Sequence, residues 1–123
     1  MARILIVDDS PSQLVGMKRT VEKLGHQVVT AEDGAAGVET AKRELPDLIL
    51  MDVVMPNLNG FQATRTIAKD PKTSHIPIIL VTTRGEPQTV EQGYEVGCND
   101  YVTKPVNSSE LLSKIRNILG ATQ

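Results

Sequence analysis

Tryptophan is absent from this chain, and Phe61, Tyr94 and Tyr101 are its only aromatic side chains. A flavin carrier, which stacks its cofactor against rings, would have little to work with. Cysteine is nearly absent as well: Cys98 stands alone, so no internal disulfide can form, and without a Cys or His nearby at ligand spacing it reads as a structural thiol. No basic run breaks the mixture of acids and bases, and a formal net charge of -2 leaves no electrostatic footprint for nucleic acid or an anionic membrane. No signal-peptide pattern and no membrane-spanning apolar stretch is present, so the expectation is a cytoplasmic protein with no membrane insertion. Linkers, repeats and low-complexity tracts are missing too. The 123 residues therefore read as one stand-alone domain, 1–123, with a single core and no space for a second catalytic domain.

What is present is alternation. Short apolar runs, Ile4 to Val7, Leu48 to Met51 and Ile78 to Val81, have no polar residue at every second position, as expected of strands covered on both faces. Val28-Val29 and Tyr101-Val102 read as shorter, outer strands. Between the runs lie segments of helical period. Leu14, Met17, Val21 and Leu24 form one apolar stripe on a helix that Ser10-Pro11 starts and Gly25 ends. Further helices are predicted from about Gly34 to Glu44, from about Phe61 to Ala68, and through Leu111, Ile115 and Ile118. A helix after Pro87 has the thinnest support, because Gly93 interrupts it and apolar positions are few. Strict alternation of this kind predicts an α/β fold, a flavodoxin-like doubly wound (βα)5 parallel sheet with strand order 2-1-3-4-5.

In such a sheet the carboxyl ends of the strands share one edge, and ligands bind where the strand order reverses. Four runs here end in reactive residues: Asp8-Asp9, Asp52, Thr82 and Lys104. Asp and Thr also cap helices and fill turns, and a lysine before a proline is often a surface lysine, so each residue alone has a structural explanation. Asp52 is the hardest to explain that way, because a carboxylate at the mouth of a buried strand is desolvated unless a cation accompanies it. Magnesium fits that need, taking one or two carboxylates while keeping waters and a phosphate oxygen. A carboxylate can also act as the nucleophile toward phosphorus, with the metal, an ammonium and a hydroxyl stabilising charge on the transferred group.

The motifs carrying these residues, Ile-Leu-Ile-Val-Asp-Asp at 4 to 9, Asp-Leu-Ile-Leu-Met-Asp-Val-Val-Met-Pro at 47 to 56, Asn-Gly at 59 and 60, Val-Thr-Thr at 81 to 83 and Asp-Tyr-Val-Thr-Lys-Pro at 100 to 105, resemble a response-regulator receiver domain. The likeness covers essentially the whole chain. Within the family it is strongest to single-domain receivers of the chemotaxis type, especially those of pilus-driven twitching motility. The resemblance implies that Asp52 is the phosphoacceptor and that Mg2+ is held by Asp8, Asp9, Asp52 and the backbone carbonyl of Val54, with Asp9 the more direct of the first pair. It implies that Lys104 contacts the phosphoryl group, that Thr82 moves to bond it, and that Tyr101 changes rotamer with Thr82. Val54 and Arg84 would tune the phosphate lifetime, and Lys104-Pro105 would be a cis peptide.

The implied partner is a histidine kinase or a His-phosphotransfer protein, and the implied output is binding of a downstream protein to the face of helix 4, strand 5 and helix 5. The protein is expected to be a monomeric two-component switch in pilus or flagellar motility control, not an enzyme beyond its own phosphorylation and slow dephosphorylation. A phosphorelay intermediate and a phosphate sink are alternatives. An aspartate-nucleophile phosphatase would carry Asp-x-Asp at its first strand, and a flavin carrier would need donors where Asp8 and Asp9 stand.

Overall fold

In the computed structural model, residues 2–53, 55, 59–82 and 87–121 are described, with the backbone alone at 87–89 and 121. Five strands alternate with five helices: β1 Arg3–Val7, α1 Pro11–Glu22, β2 Gln27–Ala31, α2 Gly34–Glu44, β3 Leu48–Asp52, α3 Gly60–Lys69, β4 Ile78–Thr82, α4 Pro87–Val96, β5 Asp100–Thr103 and α5 Ser108–Ala121. All strand pairs are parallel, and the order is β2-β1-β3-β4-β5. The doubly wound sheet expected from the alternation is the one observed.

Period-two side-chain placement divides the core into two layers. Ile4, Ile6, Leu48, Leu50, Ile79, Val81 and Val102 pack against Leu14, Met17 and Val21 of α1 and Leu111 and Ile115 of α5. On the opposite face Leu5, Val7, Ile49, Met51, Ile78 and Leu80 meet Val38 and Ala41 of α2 and Ala63 and Ile67 of α3. The three inner strands are therefore apolar without alternation because each odd and each even residue has its own helical layer. At roughly 1.5–3 kcal/mol for each large side chain removed from water, these layers supply the main drive to fold.

Three details depart from the sequence reading. Ser10 precedes Pro11 at the helix start, but its hydroxyl caps nothing and pairs with Ser12 at 3.2 Å. Its backbone N–H donates to Asp8 Oδ1 at 2.9 Å, so the turn is closed by the aspartate that follows β1. Strand β2 is outer but no shorter than β1. Helix α4 runs straight through Gly93, the residue that weakened its expectation. A Cβ there would stand 2.7 Å from Leu80 Cδ1 and 3.2 Å from Cys98 Sγ, so the glycine lets the helix lie close to β4.

Gly60 opens α3 under tighter constraint. A Cβ would fall 2.1 Å from the Asp52 carbonyl oxygen and 2.8 Å from Val53 Cα, while the Gly60 N–H donates to Val53 O at 2.9 Å. Backbone cannot yield as a side-chain tip can. Gly60→Ala is expected to cost about 1–3 kcal/mol through overpacking. Gly93→Ala should cost less, since Leu80 can rotate and alanine gains up to about 1 kcal/mol of helix propensity. Urea midpoints of the two variants check the order, and equal losses would contradict the backbone-contact explanation for Gly60.

Candidate functional site

Parallel register assembles the site. Val7 pairs with Met51, so the next residue of each chain segment, Asp8 and Asp52, emerges side by side at the carboxyl edge. Backbone hydrogen bonds hold that edge in place: Asp8 N–H donates to Ala31 O at 3.1 Å, Val53 N–H to Val81 O at 3.0 Å, and Lys104 N–H to Thr82 O at 2.7 Å. The four strand ends on which the reactive residues sit are thus tied directly to their neighbours.

Asp8 is fully buried and Asp52 only 3% exposed, while Asp9 faces solvent. One carboxylate oxygen from each of Asp8, Asp9 and Asp52 lies within 4.8 Å of the others. The Lys104 ammonium, brought over from the end of β5, donates to Asp52 Oδ1 at 3.0 Å and lies 3.6 Å from Asp8 Oδ2. The Lys104–Pro105 peptide is cis. Thr82, 4% exposed, ends β4 one residue beyond the Asp52–Val81 pair.

Burial raises the Asp52 carboxyl above its ordinary range; the Lys104 hydrogen bond opposes that rise, and the negative charges of Asp8 and Asp9 add to it. Among the described residues, one ammonium thus serves two buried carboxylates. Asp8 Oδ2 is buried with no hydrogen-bond partner among those residues, the 3.6 Å approach of Lys104 being electrostatic only. An orphaned carboxylate oxygen beside two further carboxylates is the donor set a hard divalent cation takes, so the residues fit magnesium.

Tyr101 lies apart from the carboxylates but not from Thr82. Leu80 pairs with Tyr101 in the sheet, and Thr82 and Tyr101 share the lining of a cavity of ≈ 10 Å³ with Val53, Leu80, Val90, Gly93 and Cys98. Burial also pushes the Cys98 thiol up to about 11, consistent with a structural role. Val54 and Arg84, expected as a carbonyl ligand and as lifetime-tuning residues, lie outside the described residues. His75 is exposed, and His26 Nδ1 accepts from the Ala2 N–H at 3.0 Å, which leaves both histidines remote in role from the cleft. The sequence reading missed Lys114, whose ammonium reaches Asp100, Glu110 and Tyr101. The Glu110–Lys114 spacing of four residues was the available signal, but it could not show that the side chain crosses to another strand.

The match to known proteins is extensive. A family model described as "Response regulator receiver domain" covers residues 4–116. Protein PilH of Pseudomonas aeruginosa is 52% identical over 119 residues, covering 97% of this chain and 98% of PilH. Several other matching regulators are longer, and this chain spans 26% to 52% of their length. Chemotaxis protein CheY4 of Vibrio cholerae superposes with a TM-score of 0.91 at 31% identity, over 96% of this chain and 98% of that one. The receiver domain of a Pseudomonas aeruginosa sensor histidine kinase, solved with a magnesium ion coordinated in its active-site cleft, superposes with a TM-score of 0.90 at 33% identity over 97% of this chain and 98% of that one.

The raised Asp52 pKa has a defined effect on stability. Its ionised form is disfavoured in the fold relative to the unfolded chain, so ionisation costs stability as pH rises from the ordinary carboxylate range through the folded value. With divalent cations chelated, Asp52→Asn is expected to be more stable than the parent at neutral pH. The difference should shrink in acid, where the parent is protonated. Thermal midpoints across pH check it; a difference that stays constant or widens in acid would show that burial does not penalise the Asp52 charge.

Proposed function

The chain belongs to the response-regulator receiver domain family, and from that premise we propose that it is a stand-alone phosphorylation switch in which Asp52 accepts a phosphoryl group from a phosphohistidine. The observation that carries the proposal is the convergence of three carboxylates within 4.8 Å and an ammonium 3.0 Å from Asp52 at one sheet edge.

The reaction asks little covalent chemistry of the chain. An Asp52 carboxylate oxygen attacks phosphorus in line, the bond from phosphorus to the donor's imidazole nitrogen breaks, and the imidazole keeps the electron pair. Lys104 opposes the rise that burial imposes on the Asp52 carboxyl, favouring its ionised form. As the aspartate's charge passes to the phosphoryl oxygens, the ammonium follows it, stabilising the transferring group. Thr82 supplies a hydroxyl from the adjacent strand end. Asp8, Asp9, Asp52 and the Val54 carbonyl would hold magnesium, which would neutralise charge on the phosphoryl oxygens when bound. Asp9 is assigned the more direct contact because it is exposed, whereas Asp8 is fully buried, with Oδ1 engaged by the Ser10 N–H and Oδ2 3.6 Å from the Lys104 ammonium.

The product is a change of charge and shape for a partner to read. Thr82 and Tyr101 line the same cavity, which supports a reading in which movement of the threonine toward the phosphoryl group is followed by the tyrosine. The output surface is then the face of α4, β5 and α5, and the target a downstream protein in pilus or flagellar motility control. Val54 and Arg84 are assigned to the lifetime of the phosphate. The phosphate donor is a histidine kinase or His-phosphotransfer protein, the setting is cytoplasmic, and the protein acts as a monomer that turns over no separate substrate. Among the described residues, no helix is long and apolar enough to cross a membrane.

With magnesium and acetyl phosphate, the purified protein should take one phosphoryl group per chain, and Asp52→Asn should take none, because an amide cannot form the acyl phosphate. Persistent single-site labelling of that variant would overturn the assignment. Asp9→Ala should weaken magnesium binding more than Asp8→Ala does. Titrations giving equal affinities would remove the distinction drawn between the two acids.

A further inference from the structure

Strand β5 is an edge strand, with β4 its only sheet neighbour among the described residues. Lys114 of α5 reaches around that edge. Its ammonium donates to the Tyr101 backbone carbonyl, lies 3.2 Å from Asp100 Oδ1 and 3.5 Å from Glu110 Oε1, and stands 4.8 Å from the centre of the Tyr101 ring. The lysine side chain is only 23% exposed, so the ammonium is held between strand and helix and is not a freely solvated charge.

These contacts differ in what they depend on. The Tyr101 carbonyl belongs to the strand. Asp100 is fixed at the strand's start, its Oδ1 also accepting the Tyr101 N–H at 2.8 Å. Glu110 lies one turn back on the same helix. All three hold the ammonium wherever the tyrosine ring points. The ring contact alone depends on the ring's orientation, and a cation over an aromatic face is attracted to it. Lys114 therefore stabilises one ring orientation over any other, which is what is needed to bias a two-state equilibrium.

We propose that Lys114 is a positioning residue that holds the Tyr101 ring in the orientation of the unmodified protein and thereby sets how readily occupancy at Asp52 is transmitted to the α4, β5 and α5 face. The inference rests on the reading of Tyr101 as the residue that follows Thr82. Removing the charge at 114 releases the ring and lowers the cost of the activated arrangement, so a ligand that favours that arrangement binds more tightly. A guanidinium at 114 can lie over the same ring and should restore the restraint.

Beryllofluoride with magnesium serves as the probe, titrated into the parent, Lys114→Met, Lys114→Arg, Tyr101→Leu and the Lys114→Met/Tyr101→Leu double variant. In protein carrying 13C-labelled tyrosine, Lys114→Met should move the Tyr101 ring resonances before any probe is added, and it should tighten beryllofluoride binding by about threefold. Lys114→Arg should return both toward the parent. In the Tyr101→Leu background, Lys114→Met should have no further effect on affinity. Unmoved ring resonances, unchanged or weaker binding in Lys114→Met, or equal tightening in the Tyr101→Leu background would each overturn the role of Lys114. The underlying reading fails separately: amides of residues 90–100 would respond to beryllofluoride in Tyr101→Leu as fully as in the parent.

Discussion

Two buried carboxylates share one ammonium at the carboxyl edge of this sheet, and the remaining architecture makes that arrangement tolerable. Asp8 and Asp52 are set side by side by parallel pairing of β1 with β3, both nearly inaccessible to water. Like charges so placed repel, and desolvation adds to the cost. Lys104 offsets part of it from the far side of β4, at the end of the next strand but one. Four strands, β1, β3, β4 and β5, must therefore be in register before the ammonium meets the carboxylates, so the site is a property of the assembled sheet and of no local segment.

The scaffold meets this demand by making the carboxyl edge stiff. Apolar layers fill both faces of the inner strands, and hydrogen bonds continue past the strand ends at Asp8, Val53 and Lys104. Gly60 brings α3 against the Asp52 backbone, and Gly93 brings α4 against Leu80 and Cys98. The same closeness leaves a cavity of only ≈ 10 Å³ between Thr82 and Tyr101, about the space of one water.

Much of this was legible in the sequence, for identifiable reasons. Uninterrupted apolar runs at Ile4, Leu48 and Ile78, alternating with segments of helical period, had the form of strands covered on both faces, and the reactive residue following each run then lay on the sheet edge. Contacts that depend on distance of approach were not legible. Gly93 counted against a helix because glycine is costly in a helix interior, and no propensity reveals that the neighbouring strand stands too near for a Cβ. Ser10 before Pro11 had the form of a cap, yet Asp8, the residue after β1, supplies the turn's acceptor. Lys114 had a helical partner in Glu110, which accounts for a surface lysine and hides its reach across β5.

The setting of Cys98 has a consequence for the reactivity of its thiol. The thiol lies 7% exposed among Leu80, Gly93 and the Thr82–Tyr101 cavity, with burial holding it almost wholly protonated at neutral pH. Since the thiolate is the species that reacts with peroxides and disulfides, burial disfavours that chemistry at Cys98. The thiol that lines the same cavity as Thr82 and Tyr101 is thus placed as a packing group and not as a reactive one.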